Sequence, residues 1–383
     1  MRQIKIIIAE VRRALAYKSL PQQIIDLIRH KLKINTNFRD YYRFEFYKSD
    51  ASMEEKSLYL GPNGSRYWPF EGNSLYFDRL FVIKSLQKSL LMGAELPTPK
   101  MLFKVGQKYP INTLDKFAAA LRQIKVPILT KFDGGGGGVD IFALDPAENG
   151  FLCDGNAVDA EWIWNKYASR MARGFFVEER IYNHPDLAAL NPDSLNTLRL
   201  MVVKTANGQW HFLKPLLKIG RAGSAVDNLS MGGMFSKLDE NGVAGPAYCK
   251  YDDTEYDCHP DTGEKIIGFQ VPYYREALEL AEFASQTVGF MGTLAWDMGV
   301  TPDGPMIIEA NAAWRFEALQ QRLGPLLTPE IAAGLHPRSW WLPWDKTHMY
   351  PKYFTERDRG WRQQFAAKLR QRWEKRLRAR AGS

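Results

Sequence analysis

Cysteine is scarce in this chain: three in 383 residues, Cys153, Cys249 and Cys258, an odd number with no CxxC pair. That argues against a disulfide framework and fits a reducing, cytoplasmic compartment. Cys258 stands beside His259, but no second ligand pair follows at zinc spacing, so a structural zinc site is set aside. No window approaches the roughly 20 uninterrupted apolar residues that a membrane span requires. The apolar run at 6–9 is cut short by Glu10, Arg12 and Arg13, and no signal peptide is evident. Also missing are a Gly-x-Ser-x-Gly elbow, a Cys/His nucleophile signature and the GKS or GKT of a Walker loop. Excess positive charge is lacking outside one stretch: residues 355–383 hold ten Lys or Arg against three acidic residues, +7 of the net +8. The remainder is nearly neutral, which argues against a nucleic-acid groove running through the main fold.

What is present is enough apolar and aromatic sequence, 45% and 13%, to bury large cores, and length enough for two or three compact units. The most informative stretch is 296–311, WDMGVTPDGPMIIEAN, which reads as a β-hairpin. Pro302 presets one turn dihedral and Gly304 can adopt a positive φ. A turn centred on Asp303 sets Asp297 opposite Glu309, with Asn311 on the same face. Two carboxylates and an amide then offer oxygen ligands to a hard cation such as Mg2+. Trp296, Met298, Met306 and Ile308 are expected on the opposite, core-facing side.

A second feature lies far upstream: Lys131, then Phe-Asp, then five glycines, Gly134, Gly135, Gly136, Gly137 and Gly138. So many glycines in an ordered domain sacrifice chain entropy, which makes sense where backbone must lie close against a phosphate. The run 126–131 reads as a strand delivering Lys131 to this loop, and 139–144 as a strand leaving it. The phosphate would lie under a flap between strands rather than on a helix N-terminus.

Along the rest of the chain, residues 1–35 predict two basic amphipathic helices separated at Pro21, the second with Ile24, Ile25, Leu27, Ile28 and Leu32 as its apolar stripe. Packing on the body and a membrane-surface role are both open for them. The aromatic stretch 38–47 suits packing, 61–72 a loop, and 78–92 a helix. Lys104 ends a strand at 98–105 and is either a phosphate ligand or a surface lysine; Thr113 and Asp115 cap a helix over 113–123. A helix at 160–171 precedes GFFVEERI at 174–181, a strand into a connector where Glu178 or Glu179 could meet a ribose or an amino group. Asn196 and Arg199 lie at the entrance of the apolar strand of 191–204, where the Arg199 fork suits a carboxylate or phosphoryl group. Residues 210–219 read as a further strand, and 272–288 as an amphipathic helix leading into the hairpin. The glycine-rich segment 221–235 suits a binding loop with Arg221, Asp227 and Asn228 as contacts, or a structural turn in which Asp227 serves local donors. Trp340, Trp341, Pro343 and Trp344 suggest an aromatic wrap. In the tail Trp361, Phe365, Leu369, Trp373 and Leu377 recur every four residues among arginines, a cationic helix that either docks on the protein or adsorbs to an anionic membrane.

Lys131 with its glycines, VEERI at 177–181, SLNTLR at 194–199, VDNLSMGG at 226–233 and WD followed by IEAN at 308–311 together resemble the sugar-transfer-associated branch of the ATP-grasp superfamily, over roughly 95–330. The resemblance implies an α+β fold of two lobes gripping ATP, a lid lobe at 95–185 and a core lobe at 186–345. A helical and aromatic N-terminal subdomain, 1–94, would precede them and a basic tail, 346–383, would follow. It implies that Lys131, Lys104 and the glycine loop contact phosphates, and that Glu178, Glu179 and Ile181 sit at the adenine hinge. Asp186 or His184 would meet the ribose, while Asp297, Glu309 and Asn311 would hold one or two Mg2+ ions, or Mn2+. Asn196, Asp227 and Asn228 are expected to bind substrate, and Arg199 and Arg221 to steady a transferring group. The expected activity is an ATP-dependent carboxylate–amine ligase passing through an acyl phosphate, on a sugar acid or amino acid linked to exopolysaccharide or other glycan biosynthesis. A small-molecule kinase and a non-enzymatic scaffold for membrane glycosyltransferases are the rival expectations. Expected partners are small carboxylates and amines, glycan-assembly enzymes and the inner membrane face through residues 355–383, with no nucleic acid.

Overall fold

A computed structural model describes residues 2–61, 73, 80–134, 140–148, 150–224, 226–249 and 254–335. The chain divides into Met1–Leu342 and Pro343–Ser383, and the described residues all belong to the first unit. The aromatic wrap at 340–344, the basic tail and glycines 135–138 lie outside them.

Two antiparallel sheets carry the fold. The first contains β1 (Met101–Val105), β2 (Ile128–Phe132), β3 (Ile141–Ala147), β4 (Gly150–Cys153), β5 (Asn156–Val158) and β6 (Phe175–Glu179), in the order β1-β6-β2-β3-β4-β5. The second contains β7 (Thr197–Lys204), β8 (Trp210–Ile219), β9 (Met234–Leu238), β10 (Ala244–Cys249), β11 (Glu255–Tyr256), β12 (Thr293–Thr301) and β13 (Gly304–Asn311), in the order β11-β10-β9-β8-β7-β12-β13. Each sheet buries its own apolar face. Phe117, Ile128, Leu144, Tyr167 and Phe175 form one core under the helices Leu114–Arg122 and Ala160–Tyr167. Leu200, Val202, Leu217, Leu294 and Trp296 form the other, against Ala277, Ala281 and Ala284 of the helix Tyr274–Thr287. Small residues on that helix let the sheet approach closely, and the Trp296 indole is satisfied by donating to Ser285 Oγ at 2.8 Å.

The hairpin forms as its turn chemistry predicts, with Asp297 opposite Glu309 and Gly304 at φ 122. One feature corrects the sequence reading. A bulge after Asp297 pairs Met298 with Ile307, so Ile307 enters the core while Ile308 turns to the face that carries Glu309. Gly299 pairs with Met306, so Met306 also leaves the core side. A single extra residue reverses every side chain beyond it.

The helix Leu20–Ile34 starts before Pro21, which sits in its first turn, and so departs from the expected break there. Of its expected apolar stripe Leu27 packs on the core, while Ile24, Ile25, Ile28 and Leu32, with Leu20, are 50–58% exposed, the outward-facing of the two readings left open. Its buried residues include Gln23 and His30. Tyr42 Oη donates to Gln23 Oε1 at 2.7 Å, and His30 stacks on Phe46 within an aromatic cluster that includes Tyr41, Tyr42 and Tyr47. Phenol-bearing rings suit a polar helix face because each buried hydroxyl needs a partner.

The helix Lys84–Gly93 ties the region before residue 95 to both sheets. Ser85 donates through its backbone N and its Oγ to Asp133, at 2.8 and 2.6 Å, just before the glycine loop. Gln87 exchanges two hydrogen bonds with the Ala310 backbone, at 2.6 and 2.9 Å. The boundary expected at residue 94 therefore separates a helix from the two lobes to which it is bonded. Upstream of it, buried Asn73 accepts from Gly292 and Thr293 and donates to Thr293 and Ala312, holding the start of β12 against the end of β13.

Candidate nucleotide and metal site

The acidic half of the site lies on one face of β7, β12 and β13. Arg199 pairs with Asp297 in register, and its guanidinium grips that carboxylate in a fork, Nε to Oδ1 at 2.5 Å and Nη2 to Oδ2 at 2.7 Å. Asn311 Nδ2 donates to Asp297 Oδ2 and to Glu309 Oε1, both at 3.2 Å. Lys84, from the helix before β1, ion-pairs with Glu309. Burial alone would raise the Glu309 carboxyl, but the Lys84 ammonium overrides it and, with Lys131 and Asn311 adding to the effect, holds the group well below the usual carboxylate range. The charge of Lys131 thus reaches across from the first sheet to the acidic ribbon of the second.

The basic half centres on Glu178. This side chain is fully buried on β6 and faces Lys131 on one side and Lys88 on the other, the latter at 3.1 Å. Burial pushes Lys88 below its usual range despite that partner, whereas Glu178 is held down by the two ammonium groups against its own desolvation. Lys84 and Lys88 are one helical turn apart, so a single helix face presents a cation to each sheet. Lys104 and Lys131 flank Phe176 in register from either side, which puts both lysines on the face of Glu178.

Between these halves lies an apolar floor. A Cβ built on Gly299 would come within 3.0 Å of Ile181 Cδ1, 3.2 Å of Ile308 Cδ1 and 3.4 Å of Leu195 Cδ2, so the missing side chain lets the connector after β6 close onto β12. The His184 amide, which donates to Val300 O at 2.7 Å, fixes the same connector.

The remaining predicted residues are placed as follows. Asp227 is buried and accepts from the Thr197 amide at 2.9 Å and from Lys218 Nζ at 2.8 Å; Lys218 also lies 3.8 Å from Asp297. Asn228 Oδ1 accepts from the Ser230 amide at 3.0 Å and so starts a short turn. Asn196, expected to bind substrate, is instead part of the framework: it is fully buried, donates to Leu187 O and Asn191 O, and accepts from Ser194 Oγ and the Gly220 amide. No hydrogen-bonding capacity is left over. Arg221 is not joined to the Asp297 cluster but makes a forked pair with Asp261, at 2.7 and 2.8 Å. Glu179 is half-exposed beside Lys100, and Asp186 lies exposed in the first turn of the helix Pro185–Leu190, near His184. Gly134 marks the described edge of the glycine loop, with the Arg173 side chain against it.

Lys84, Lys88, Asp133 and Lys218 are the residues that sequence reasoning missed. Each is a charged side chain whose partner is distant in sequence or falls outside every recognisable motif. Among the described residues no three His, Cys, Asp or Glu side chains cluster at metal-binding range, so the candidate ligand set is two carboxylates and an amide. These are the hard oxygen donors that Mg2+ takes, provided the Asn311 amide turns its oxygen inward. The residues fit such an ion, and their present neutralisation by Lys84 and Arg199 is what an incoming cation would replace.

Two antiparallel sheets, meeting at a lysine-bearing strand on one side and a carboxylate hairpin on the other, define the ATP-grasp fold. The chain belongs to the sugar-transfer associated ATP-grasp family, whose model matches residues 73–333, including the helix that carries Lys84 and Lys88. No curated protein matches the sequence. Among solved structures, the biotin carboxylase domain of the Hydrogenobacter thermophilus 2-oxoglutarate carboxylase, solved with MgADP, ADP and bicarbonate, is similar at 15% identity. That similarity covers 68% of this chain and 47% of that chain, with a TM-score of 0.38. Campylobacter jejuni biotin carboxylase is 13% identical over 70% and 48% of the two chains, TM-score 0.41. The D-alanine–D-alanine ligase of Coxiella burnetii is 13% identical over 61% and 48%, TM-score 0.32. The chain spans about half the length of these structures. No helix among the described residues is long and apolar enough to cross a membrane.

Proposed function

We propose that this protein is an ATP-dependent carboxylate–amine ligase acting on a sugar acid or amino acid that enters glycan assembly. What supports the reading is the convergence of Lys131, Lys84 and Lys88 with Asp297, Glu309 and Asn311, from two sheets and one bridging helix. In this reading the adenine lies on the floor of Ile181, Leu195 and Ile308, with the backbone near Glu179 beside its edge. Lys131 and Lys104 face the phosphates beneath the glycine loop, and Asp186 or His184 lies toward the ribose. Asp297, Glu309 and Asn311 hold one or two Mg2+ ions, or Mn2+, which when bound neutralise charge on the phosphate oxygens. Glu178 aims Lys131 through their ion pair, and Lys88 balances that buried carboxylate.

A substrate carboxylate oxygen attacks the γ-phosphorus to give an acyl phosphate and ADP; the amine then attacks the acyl carbon, phosphate leaves and the ammonium proton is released. No enzyme nucleophile is consumed. The chain's work is to hold and screen charge. Arg199 would give up its fork on Asp297 to the cation and so become free to steady the acyl phosphate, while Lys218, Asp227 and Asn228 border the acceptor side. Arg221 would have to leave Asp261 to take part. Glycan-assembly enzymes and the inner face of the cytoplasmic membrane, met through residues 355–383, are the proposed setting.

The test is ATP turnover against a matrix of uronic acids and amino acids, with mass spectrometry of the products. The expected result is ADP and phosphate formed only when both a carboxylate and an amine are supplied, with an amide product. A stable phosphorylated product made without any amine would identify a kinase, and no turnover with any pair would favour a binding role.

A further inference from the structure

The first two helices, Arg2–Ala14 and Leu20–Ile34, present an outward face that the ligase reading does not use. On the second helix Leu20, Ile24 and Ile28 recur every four residues, with Ile25 and Leu32 beside them, and all five are at least half exposed. Ile8, Leu15 and Tyr17 extend the apolar surface on the preceding helix and turn, at 45–56% exposure. A folded protein has no reason of stability to keep so many branched aliphatics in water while burying Gln23 and His30 beneath them. The buried side chains are held in place, so the orientation is built rather than accidental: Gln23 donates to Lys18 O at 2.8 Å and accepts from Tyr42, the His30 ring bonds Asp26 O through Nδ1 at 2.7 Å and stacks on Phe46, and Tyr41 Oη donates to Asp26 at 3.1 Å.

Charge decides which occupant the face fits. Residues 1–35 carry eight Lys or Arg against two acidic residues, and Arg12, Arg13, Arg29, Lys31 and Lys33 are exposed around the aliphatics. The chain's other basic segment, 355–383, has an excess of +7 and would be repelled. A second copy would bring an equally basic face. The excess of six positive charges over residues 1–35 is complemented by an anionic surface. We propose that the exposed aliphatic and basic face of residues 8–33 docks on the surface of an anionic lipid bilayer, its helices lying in the interfacial plane with the aliphatics inserted among the acyl chains. This docking is independent of the chemistry proposed for the nucleotide site.

The experiment is co-sedimentation of the full-length protein with vesicles of phosphatidylcholine alone and with about 30% phosphatidylglycerol, at low and high salt. The wild type is expected to partition into the anionic vesicles, less so at high salt, and the double substitution Ile24→Glu with Ile28→Glu to weaken partition by about tenfold or more. Unchanged melting temperature and an unchanged circular dichroism spectrum identify the variant as folded; the milder Ile24→Gln with Ile28→Gln takes its place should it fail that check. Three results overturn the proposal. The wild type does not bind anionic vesicles, which points to a protein occupant. A folded variant partitions like the wild type, which assigns membrane binding to another segment. Light scattering shows a wild-type dimer that the variant dissolves, which assigns the face to a second copy.

Discussion

The helices Leu20–Ile34 and Lys84–Gly93 both come from the stretch ahead of the first sheet, and both bury polar side chains, yet for opposite ends. In Lys84–Gly93 the inward groups reach far along the chain: Lys84 to Glu309, Lys88 to Glu178, Ser85 to Asp133 and Gln87 to Ala310. In Leu20–Ile34 their partners are local, Lys18 and Tyr42 for Gln23 and the Asp26 carbonyl for His30 Nδ1. Long-range polar burial assembles a site from separate lobes; local polar burial lets a helix turn its aliphatics away from its own core. The difference teaches that polarity inside a helix packing face signals function, and that the separation of its partners says where.

Four variants break or sharpen this contrast. The largest effect is expected from Glu178→Ala, which leaves Lys88 and Lys131 buried with no counter-charge and should cost about 3–5 kcal/mol in chemical denaturation. A loss under about 1 kcal/mol would mean that water or rearrangement already compensates those lysines. Because its folded carboxyl is depressed, the stabilisation from Glu178 is present above the unfolded carboxyl range and is lost as pH falls through the folded value.

Next comes Asp40, buried under the outward-facing helices, whose carboxyl burial pushes up to about 6 despite Arg43. A raised carboxyl works in the other direction: its contribution is fully present below the unfolded value near 4 and is lost as pH rises through about 6. Asp40→Asn should therefore flatten the pH dependence of stability between about pH 4 and 7 by up to about 3 kcal/mol. An unaltered slope in denaturation curves would remove that carboxyl from the balance.

Lys84→Met should have a smaller effect, because Lys84 and Glu309 keep partial solvent access, with side chains 19% and 27% exposed. Losing the pair should cost about 1 kcal/mol of stability. It should also tighten Mn2+ binding to the nucleotide-free protein by about fivefold, since the ammonium competes for the same carboxylate. Electron paramagnetic resonance titration reads that change, and weaker Mn2+ binding would show Lys84 supporting the ligand rather than masking it. Smallest of all, Ile24→Gln with Ile28→Gln should leave folding stability within about 0.5 kcal/mol of wild type, as expected for side chains more than half exposed. A larger loss would place them in the core after all.

Much of the architecture was legible in the sequence because local chemistry specifies it. The TPDGP turn fixed the pairing of Asp297 with Glu309, and the strand periods located β2, β3 and β6 around the glycines. The bulge that sends Ile308 toward the site was not legible, since one unpaired residue has no compositional mark. Lys84 and Lys88 carried no signal within the helix expected over 78–92, because their partners are 225 and 90 positions away. For Leu20–Ile34 the period was legible and the covered face was not: hydrophobic spacing identifies a face without saying which way it turns, and here phenols and an imidazole make a polar seat for the opposite side. Asn196 looked like a ligand for a related reason, since a buried amide serving four backbone and side-chain partners cannot be told from a free one by its neighbours in sequence.

The most direct test of the central claim, that Lys131 of the first sheet and the acidic hairpin of the second hold one nucleotide, is calorimetric titration of MgADP into the wild type, Lys131→Met and Glu309→Gln. One saturable site in the wild type, weakened about tenfold or more by either substitution in a protein that still melts cooperatively, is the predicted result. Wild-type affinity in both variants would contradict it.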